Sequence, residues 1–522
     1  MTRINTNVPS LTAQRVLGQN NRDLNTSLER LSTGLRINRG ADDPAGLIAS
    51  QNLRAEQAGI TAAIGNAERA DQVVNIAEGG LDEISGLLTE LQSLVTQSAN
   101  DAGLSREEKE ANQLQVDSIL QTIDRLAAST SFQGTKLLNG NFDYTTDQVS
   151  GVVDSFTVNG AKLDFEGTRD VNVLVTASAQ VGGFIVSLGT AAIDLTNASA
   201  AFTIEIAGNL GSRELSFNSG ATLTDIVATI NTFTDVTGVV ATSTAASTFR
   251  VDSTNFGSDE FVSIKVVSEG GISNGNSGIY SLSNGDADVA GTNAAGRTQF
   301  TSTEASNGVI DFGRDVQATI NGIQAVTRGT EARINTDFLD VEIDLTYDRG
   351  NPSAANVGAV GAFRITGGGA DFQLAGRVDI AGKVSLGISN VASRELGRTN
   401  DDTDGDGTND ATYFLSDLRA GAALNLVDGD VSNAQTVLER SIREVSSLRG
   451  RLGAFQQNVI GATIRSLGVA LENTSSAEST IRDTDFAAET ASLTRSQILS
   501  QSAQASLQQA NLAPQSALAL LG

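Results

Sequence analysis

The sequence predicts an α+β protein. Helical zones with coiled-coil seams occupy both chain ends, and a β-rich zone lies between them. Three observations carry this. Apolar residues recur at helical spacing through the first ~140 and the last ~110 residues. The stretch between them alternates with period two. The helical rows also keep a seven-residue repeat for longer than a compact domain can accommodate.

The first helix carries Leu17, Leu24, Leu28, Leu31 and Leu35 on one face. It is interrupted by "ERLSTGLRINRGADDPAGL", Glu29 to Leu47. Gly34 releases the helix and Gly40 permits a turn. Asp43 is a good N-cap for a second helix, with Pro44 at its first position; Asp42 and Asp43 complement its dipole. From Pro44 to about Ala99, Leu53, Ile60, Ala67, Val74, Leu81, Leu88 and Val95 sit seven apart. Ala63, Ala70, Ala77, Ile84 and Leu91 form a second row three residues on. Two rows offset by three make a coiled-coil seam. Such a helix is about 80 Å long at 1.5 Å per residue. A shorter helix over Arg106–Ser129 carries Leu114, Ile119, Leu120, Ile123 and Leu126.

In the central zone "AFTIEIAG" places Phe202, Ile204 and Ile206 on one strand face, and "ELSFNSG" adds Leu215 and Phe217. "ATLTDIVATINTF" reads as a short helix, with strands at "TFRVDS" and "FVSIKVVS". A second β-rich run covers "DVQATINGIQAVTRGTEARINTDFLDVEIDLT". "GGGAD" at 367–371 reads as a turn or bulge, because it has no following lysine to serve a phosphate. A helix over 415–470 then repeats the seam, with rows Leu438, Val445, Leu452, Val459 and Leu448, Phe455, Ala462, Val469. The last segment, from about Ser479, is Ala-, Ser- and Gln-rich and carries Phe486, Leu493, Ile498, Leu499 and Leu507. These terminal segments are too thinly apolar to stand alone. They either pair with each other or bury their seams against other molecules.

Composition narrows the chemistry. The chain has 61 acidic and 35 basic residues among 522, a formal charge of −26. That disfavours nucleic acid and anionic membrane as partners. It contains no cysteine and no histidine, which excludes disulfides, Ser-His-Asp catalysis and HExxH metalloprotease chemistry. No carboxylate pair stands out as catalytic, so a non-enzyme is expected. The opening residues lack an apolar signal region, and no stretch is apolar for long enough to span a membrane.

Several segments are similar to bacterial flagellin. They are "INTNVPSLTAQ", "SLERLSTGLRINRGADDPAGLIAS", "SLVTQSAN", "IDRLAASTSFQGTKLLNG", "LRGRLGAFQQNVI" and the tail from "IRDTDFAAETASLTRSQILSQ" to "SALALLG". They cover about half the chain. The resemblance implies a subunit that polymerises into the flagellar filament used for swimming. It implies an inner helical domain from residues 1–43 with 479–522, and a rod domain with a β-hairpin from 44–145 with 362–478. The remaining 146–361 would be the surface-exposed insert. It further implies an extracellular filament exported by the type III route. Hook-associated and cap proteins would sit at the filament ends, and an export chaperone at the C-terminal region.

The resemblance directs attention to particular residues. Arg30, Leu31, Arg36, Arg39, Asp42, Asp43, Phe486, Leu493 and Leu507 are candidates for the subunit interface. Family members that activate a vertebrate Toll-like receptor carry an arginine where this chain has Glu90. Leu94 is kept, and a facing glutamate is replaced by Gln115. The reversed charge predicts weakened receptor recognition. "DDTDGDGTND" matches the start of an EF-hand through Asp402, Asp404, Asp406, Thr408 and Asp410, but position twelve is Tyr413 rather than glutamate. Calcium binding and a solvated acidic turn both remain open there; no cofactor is otherwise required. The alternative functional reading is a hook-filament junction protein, which shares the terminal signatures. A glycan-binding adhesin is a further rival of another class.

Overall fold

The computed structural model describes residues 6–100, 103–164, 167–189, 192–193, 195, 201–272, 275–282, 292–345, 358–401 and 411–519. The larger helices are α1 (Val8–Thr33), α2 (Pro44–Ser98), α3 (Arg106–Ser129), α4 (Leu223–Asn231), α5 (Val431–Ala454), α6 (Gly461–Arg482) and α7 (Phe486–Ala519). The chain divides into two compact units. One holds 1–71, 373–382 and 455–522; the other holds 72–372 and 383–454. Helix α2 contributes residues to both.

In the first unit α1 runs antiparallel to α7. The Asn7 side chain donates to the Ala510 carbonyl at 2.8 Å, and Ser500 donates to Asn21 at 2.9 Å. Helix α1 ends as expected at Gly34, whose φ of 74° is the left-handed conformation that glycine adopts without penalty. Gly40 is not among the residues with positive φ, so the second turn uses no left-handed glycine. Asp43 caps α2 by accepting from the Gly46 N–H at 2.9 Å.

Along α2 both expected rows are buried from Ile60 to Val95, most at 1% exposure or less. Alanines at 63, 67, 70 and 77 occupy the first half and larger residues the second. In the second unit α3 opens on a capping box formed by Ser105 and Glu108. It buries Val116, Ile119, Leu120 and Ile123, but Leu114 is 71% exposed. Gln113, buried inside α3, ties down the segment before α5: it donates to the Leu418 carbonyl and accepts from Leu426 N–H, both at 2.8 Å.

The helix expected over 415–470 differs in two ways. Residues 415–418 form only a short 3-10 turn, Gly421 takes a φ of 78°, and α5 starts at Val431 behind the Asp430 cap. A π-helical segment, Phe455–Ile460, then separates α5 from α6. A π turn inserts one residue into the helical repeat. Ile460 is therefore buried to 1%, Val459 is only half-buried, and Ala462 and Val469 of the expected second row are exposed.

The central zone is two β cores, one nested in the other. The first has a five-stranded antiparallel sheet, ordered Ile323–Gln324, Gln317–Ile320, Arg169–Ala177, Gly358–Gly368, Tyr144–Asp147. Its four-stranded sheet is ordered Val326–Arg328, Glu331–Asn335, Leu339–Leu345, Val153–Ala161. Val171, Val173, Val341, Ile343, Phe363 and Ile365 lie in the core between them. The second core lies between residues 183 and 312 and contains Phe202, Ile204, Ile206, Leu215, Phe217, Phe249 and Ile226 of α4. The chain leaves and re-enters the first core at adjacent points. Gln180 and Arg314 exchange two backbone hydrogen bonds of 2.8 Å there.

The segment from about 358 to 386, where the rod domain's β-hairpin is expected, divides between two sheets. Gly358–Gly368 joins the five-stranded sheet, whereas Ala370–Gln373 pairs with Lys383–Leu386. Gly368 and Gly369, with φ of 86° and 80°, make the break. A Cβ on Gly369 would meet the Tyr144 ring at 2.6 Å. The turn expected at "GGGAD" is what forms.

Candidate assembly surface

The α1–α7 pair buries small polar residues and displays large apolar ones. Ser10, Ser27, Ser496, Ser500 and Ala503 are at most 8% exposed. Leu17, Leu24 and Leu31 of the expected α1 row are half-buried beside them, as are Leu493 and Leu507 of α7. By contrast Val8, Leu11, Leu28, Phe486, Ile498 and Leu512 are 46–58% exposed. An apolar surface of this kind on otherwise polar helices marks an interaction face. The small-residue seam was legible only as the Ala- and Ser-rich composition of the tail. Which serines it buries depends on the partner helix.

The interruption after α1 is a folded joint. Gly34 accepts from Thr484 N–H at 3.0 Å, and Arg36 N–H donates to the Arg482 carbonyl at 2.7 Å. Leu35 bridges Asp483 in antiparallel fashion. The Arg36 guanidinium donates to the Ile481 carbonyl at 2.6 Å, at the C-terminal end of α6, where a positive charge meets the helix dipole. Arg39 pairs with Glu29 at 2.9 Å. Arg30 lies 3.6 Å from Glu489 of α7, and its Nε has no hydrogen-bond partner. Asp42 accepts from the N–H groups of Arg39 (2.9 Å) and Asn38 (3.0 Å), and these bonds hold its carboxyl below the usual aspartate range. The candidate residues on this stretch are thus brought together, and each of these charged groups has a partner within the chain. Phe486 sits beside the joint: a Cβ on Gly34 would lie 3.9 Å from its ring.

The two receptor-position residues also face each other. Gln115 donates to Glu90 at 3.0 Å, and Leu94 is buried to 7%. The residues proposed for calcium, 402–410 including Asp402, Asp404, Asp406, Thr408 and Asp410, lie outside the described residues. Their flanks pair as a hairpin, Thr399–Asp401 with Ala411–Tyr413, and Tyr413 is opposite Thr399. These flanks are strands, whereas an EF-hand loop runs between helices. No group of three or more acidic side chains suited to a metal occurs among the described residues. Among the same residues no helix is long and apolar enough to cross a membrane.

Comparison with known proteins agrees with this arrangement. The model of the bacterial flagellin N-terminal helical region matches residues 4–143, and that of the C-terminal helical region matches 435–521. Flagellin B of Helicobacter pylori is 28% identical over 99% of both chains. The B-type flagellin of Pseudomonas aeruginosa is 29% identical and a flagellin of Salmonella choleraesuis 27%, each again over 99% of both chains. With helices at both chain ends, a central β-rich region and relatives that align from end to end, the chain belongs to the bacterial flagellin family and is a structural subunit of the flagellar filament.

Proposed function

We propose that assembly is driven by the outward apolar face of the α1–α7 pair. The observation that supports this is the inversion described above, with serines in the seam and large apolar residues outside. A chain of net charge −26 repels its copies, so attraction between them needs apolar, shape-matched contact. Heterologous contacts repeated along a helix give an open filament rather than a closed ring. In this reading 1–43 with 479–522 form an inner tube, 44–145 with 362–478 surround it, and 146–361 lie outermost. Arg30, Leu31, Arg36, Arg39, Asp42, Asp43, Phe486, Leu493 and Leu507 lie at or near the contacts between subunits.

The filament stands outside the cell. Its ends meet hook-associated and cap proteins, and a chaperone holds the C-terminal region before export. The role is mechanical, without catalysis. Calcium at 402–410 is an optional element of this reading: calorimetric heat at millimolar calcium supports it, and none removes it. The Glu90–Gln115 pair weakens receptor recognition, and full potency in a reporter-cell assay would overturn that.

Seeded elongation tests the core of the reading. Purified protein added to preformed filament seeds should extend them under electron microscopy. Intact protein that fails to extend seeds defeats the reading. Low copy number in sheared filaments would favour the hook-filament junction instead.

A further inference from the structure

The chain passes from the first β core to the second at Gln180 and returns at Arg314, and the two crossings lie side by side. Two adjacent crossings alone leave a hinge line, about which joined domains swing. A third contact stands beside that line. The loop 254–260 belongs to the second core, because it joins strands Thr248–Ser253 and Phe261–Ser268. It reaches back onto the first core, where Phe256 packs against the apolar side chains. Gly257 N–H donates to the Gln180 carbonyl at 3.3 Å, and Gly313 N–H donates to the Glu260 carbonyl at 2.9 Å.

The Asp315 carboxylate ties this loop down. Its Oδ1 accepts from the Ser258 N–H at 3.0 Å and from the Gly329 N–H at 2.7 Å, and its Oδ2 accepts from the Ser258 hydroxyl at 2.6 Å. Ser258 lies in the second-core loop. Gly329 lies in the first core, in the turn between Val326–Arg328 and Glu331–Asn335. One carboxylate therefore bridges both cores, through bonds strengthened by its charge. Buried glycines let the backbones meet this closely. A Cβ on Gly257 would lie 2.9 Å from Asp315 and 3.0 Å from Gly329, and one on Gly329 would lie 2.9 Å from the Phe256 carbonyl oxygen. Arg328 and Asp259 add an ion pair of 3.1 Å across the joint, but both are largely exposed and it contributes little.

We propose that Asp315 and Phe256 latch the second β core onto the first, so that the two cores move as one body instead of swinging about the paired crossings. A third attachment off the hinge line removes the freedom that two adjacent ones leave. Each copy in the filament then holds its second core at one orientation to its first.

Electron–electron double resonance on the intact chain tests this. The chain has no cysteine, so introduced spin labels report only the chosen positions. Glu214 on the second core and Gln324 on the first are both exposed. Labels at Glu214→Cys and Gln324→Cys should give one narrow distance distribution. Asp315→Ala should broaden it at least two-fold, Phe256→Ala should do the same, and Arg328→Ala should leave it narrow. Labels at Glu214→Cys and Ser243→Cys, both on the second core, should stay narrow throughout, which separates a loosened joint from an unfolded core. Should Asp315→Ala unfold a core, Phe256→Ala, which leaves the carboxylate in place, decides. A broad distribution with the joint intact, or a narrow one in either folded latch variant, overturns the proposal. Broadening by Arg328→Ala would place the hold in the exposed ion pair and overturn it too.

Discussion

Gly34 carries a requirement that its neighbours do not. Its φ of 74° closes α1 and aims its carbonyl at Thr484. A side chain there pays roughly 1 to 2 kcal/mol for the left-handed conformation. Gly34→Ala should lower the stability of the terminal helix pair by about that amount, measured by helical circular dichroism in a urea series. Arg36 bonds the Ile481 carbonyl, so Arg36→Glu places a negative charge against the negative end of α6. The expected result is a soluble chain that elongates seeds poorly, and normal filaments would return the stretch to a mere connection. Asp42 carries the acid sensitivity of the same joint. Its carboxyl is lowered by the N–H groups of Arg39 and Asn38, so its contribution is present above the ordinary aspartate value of 3.8 and is lost as pH falls below it. Exchange at the Asn38 and Arg39 amides should accelerate in that acid range, and Asp42→Asn should weaken the pH dependence.

At the scale of the element, α2 and the segment from α5 into α6 are instructive together. Both were legible as seven-residue rows. In α2 the rows survive intact, because nothing breaks the hydrogen-bond ladder between Pro44 and Ser98. After α5 the π segment moves the buried set forward by one residue, to Ile460. Both registers are apolar enough on paper, since Val459 and Ile460 are adjacent and chemically alike. Mutation separates them. Ile460→Ala should cost about 2 to 4 kcal/mol, as truncation of a buried Ile does. Val469→Ala, at a position 58% exposed, should stay within about 0.5 kcal/mol. Equal costs in denaturant titrations would mean that the unbroken seven-residue register is the one populated. The strands were read more securely. Phe202, Ile204 and Ile206 all reach 1% exposure or less, because a period-two pattern leaves only one face to choose.

For the whole molecule, removing either terminal helix should separate assembly from folding. Deleting 1–33 or 486–519 removes one side of the α1–α7 pair while leaving both β cores untouched. Such chains should fail to elongate seeds yet retain the cooperative thermal transition of the β cores in calorimetry. Elongation by either truncated chain would shift assembly to another surface.

The family was legible from motifs at both ends, and so were most of the long helices, the caps at Gly34 and Asp43, and the strands within 201–218, 248–268 and 317–345. Those features depend on residues within a turn or two of each other, and the sequence states them directly. The joint between Gly34–Arg36 and Arg482–Thr484 was not legible, since its partners are some 445 residues apart and bond mainly through backbone atoms that every residue carries. Nor was the nesting of one β core inside the other, or the serine seam of the terminal pair. For these the deciding quantity is what lies opposite a residue once the chain has folded. Local periodicity offers several acceptable faces, and tertiary packing selects among them by burying one and leaving the others to water or to the next subunit.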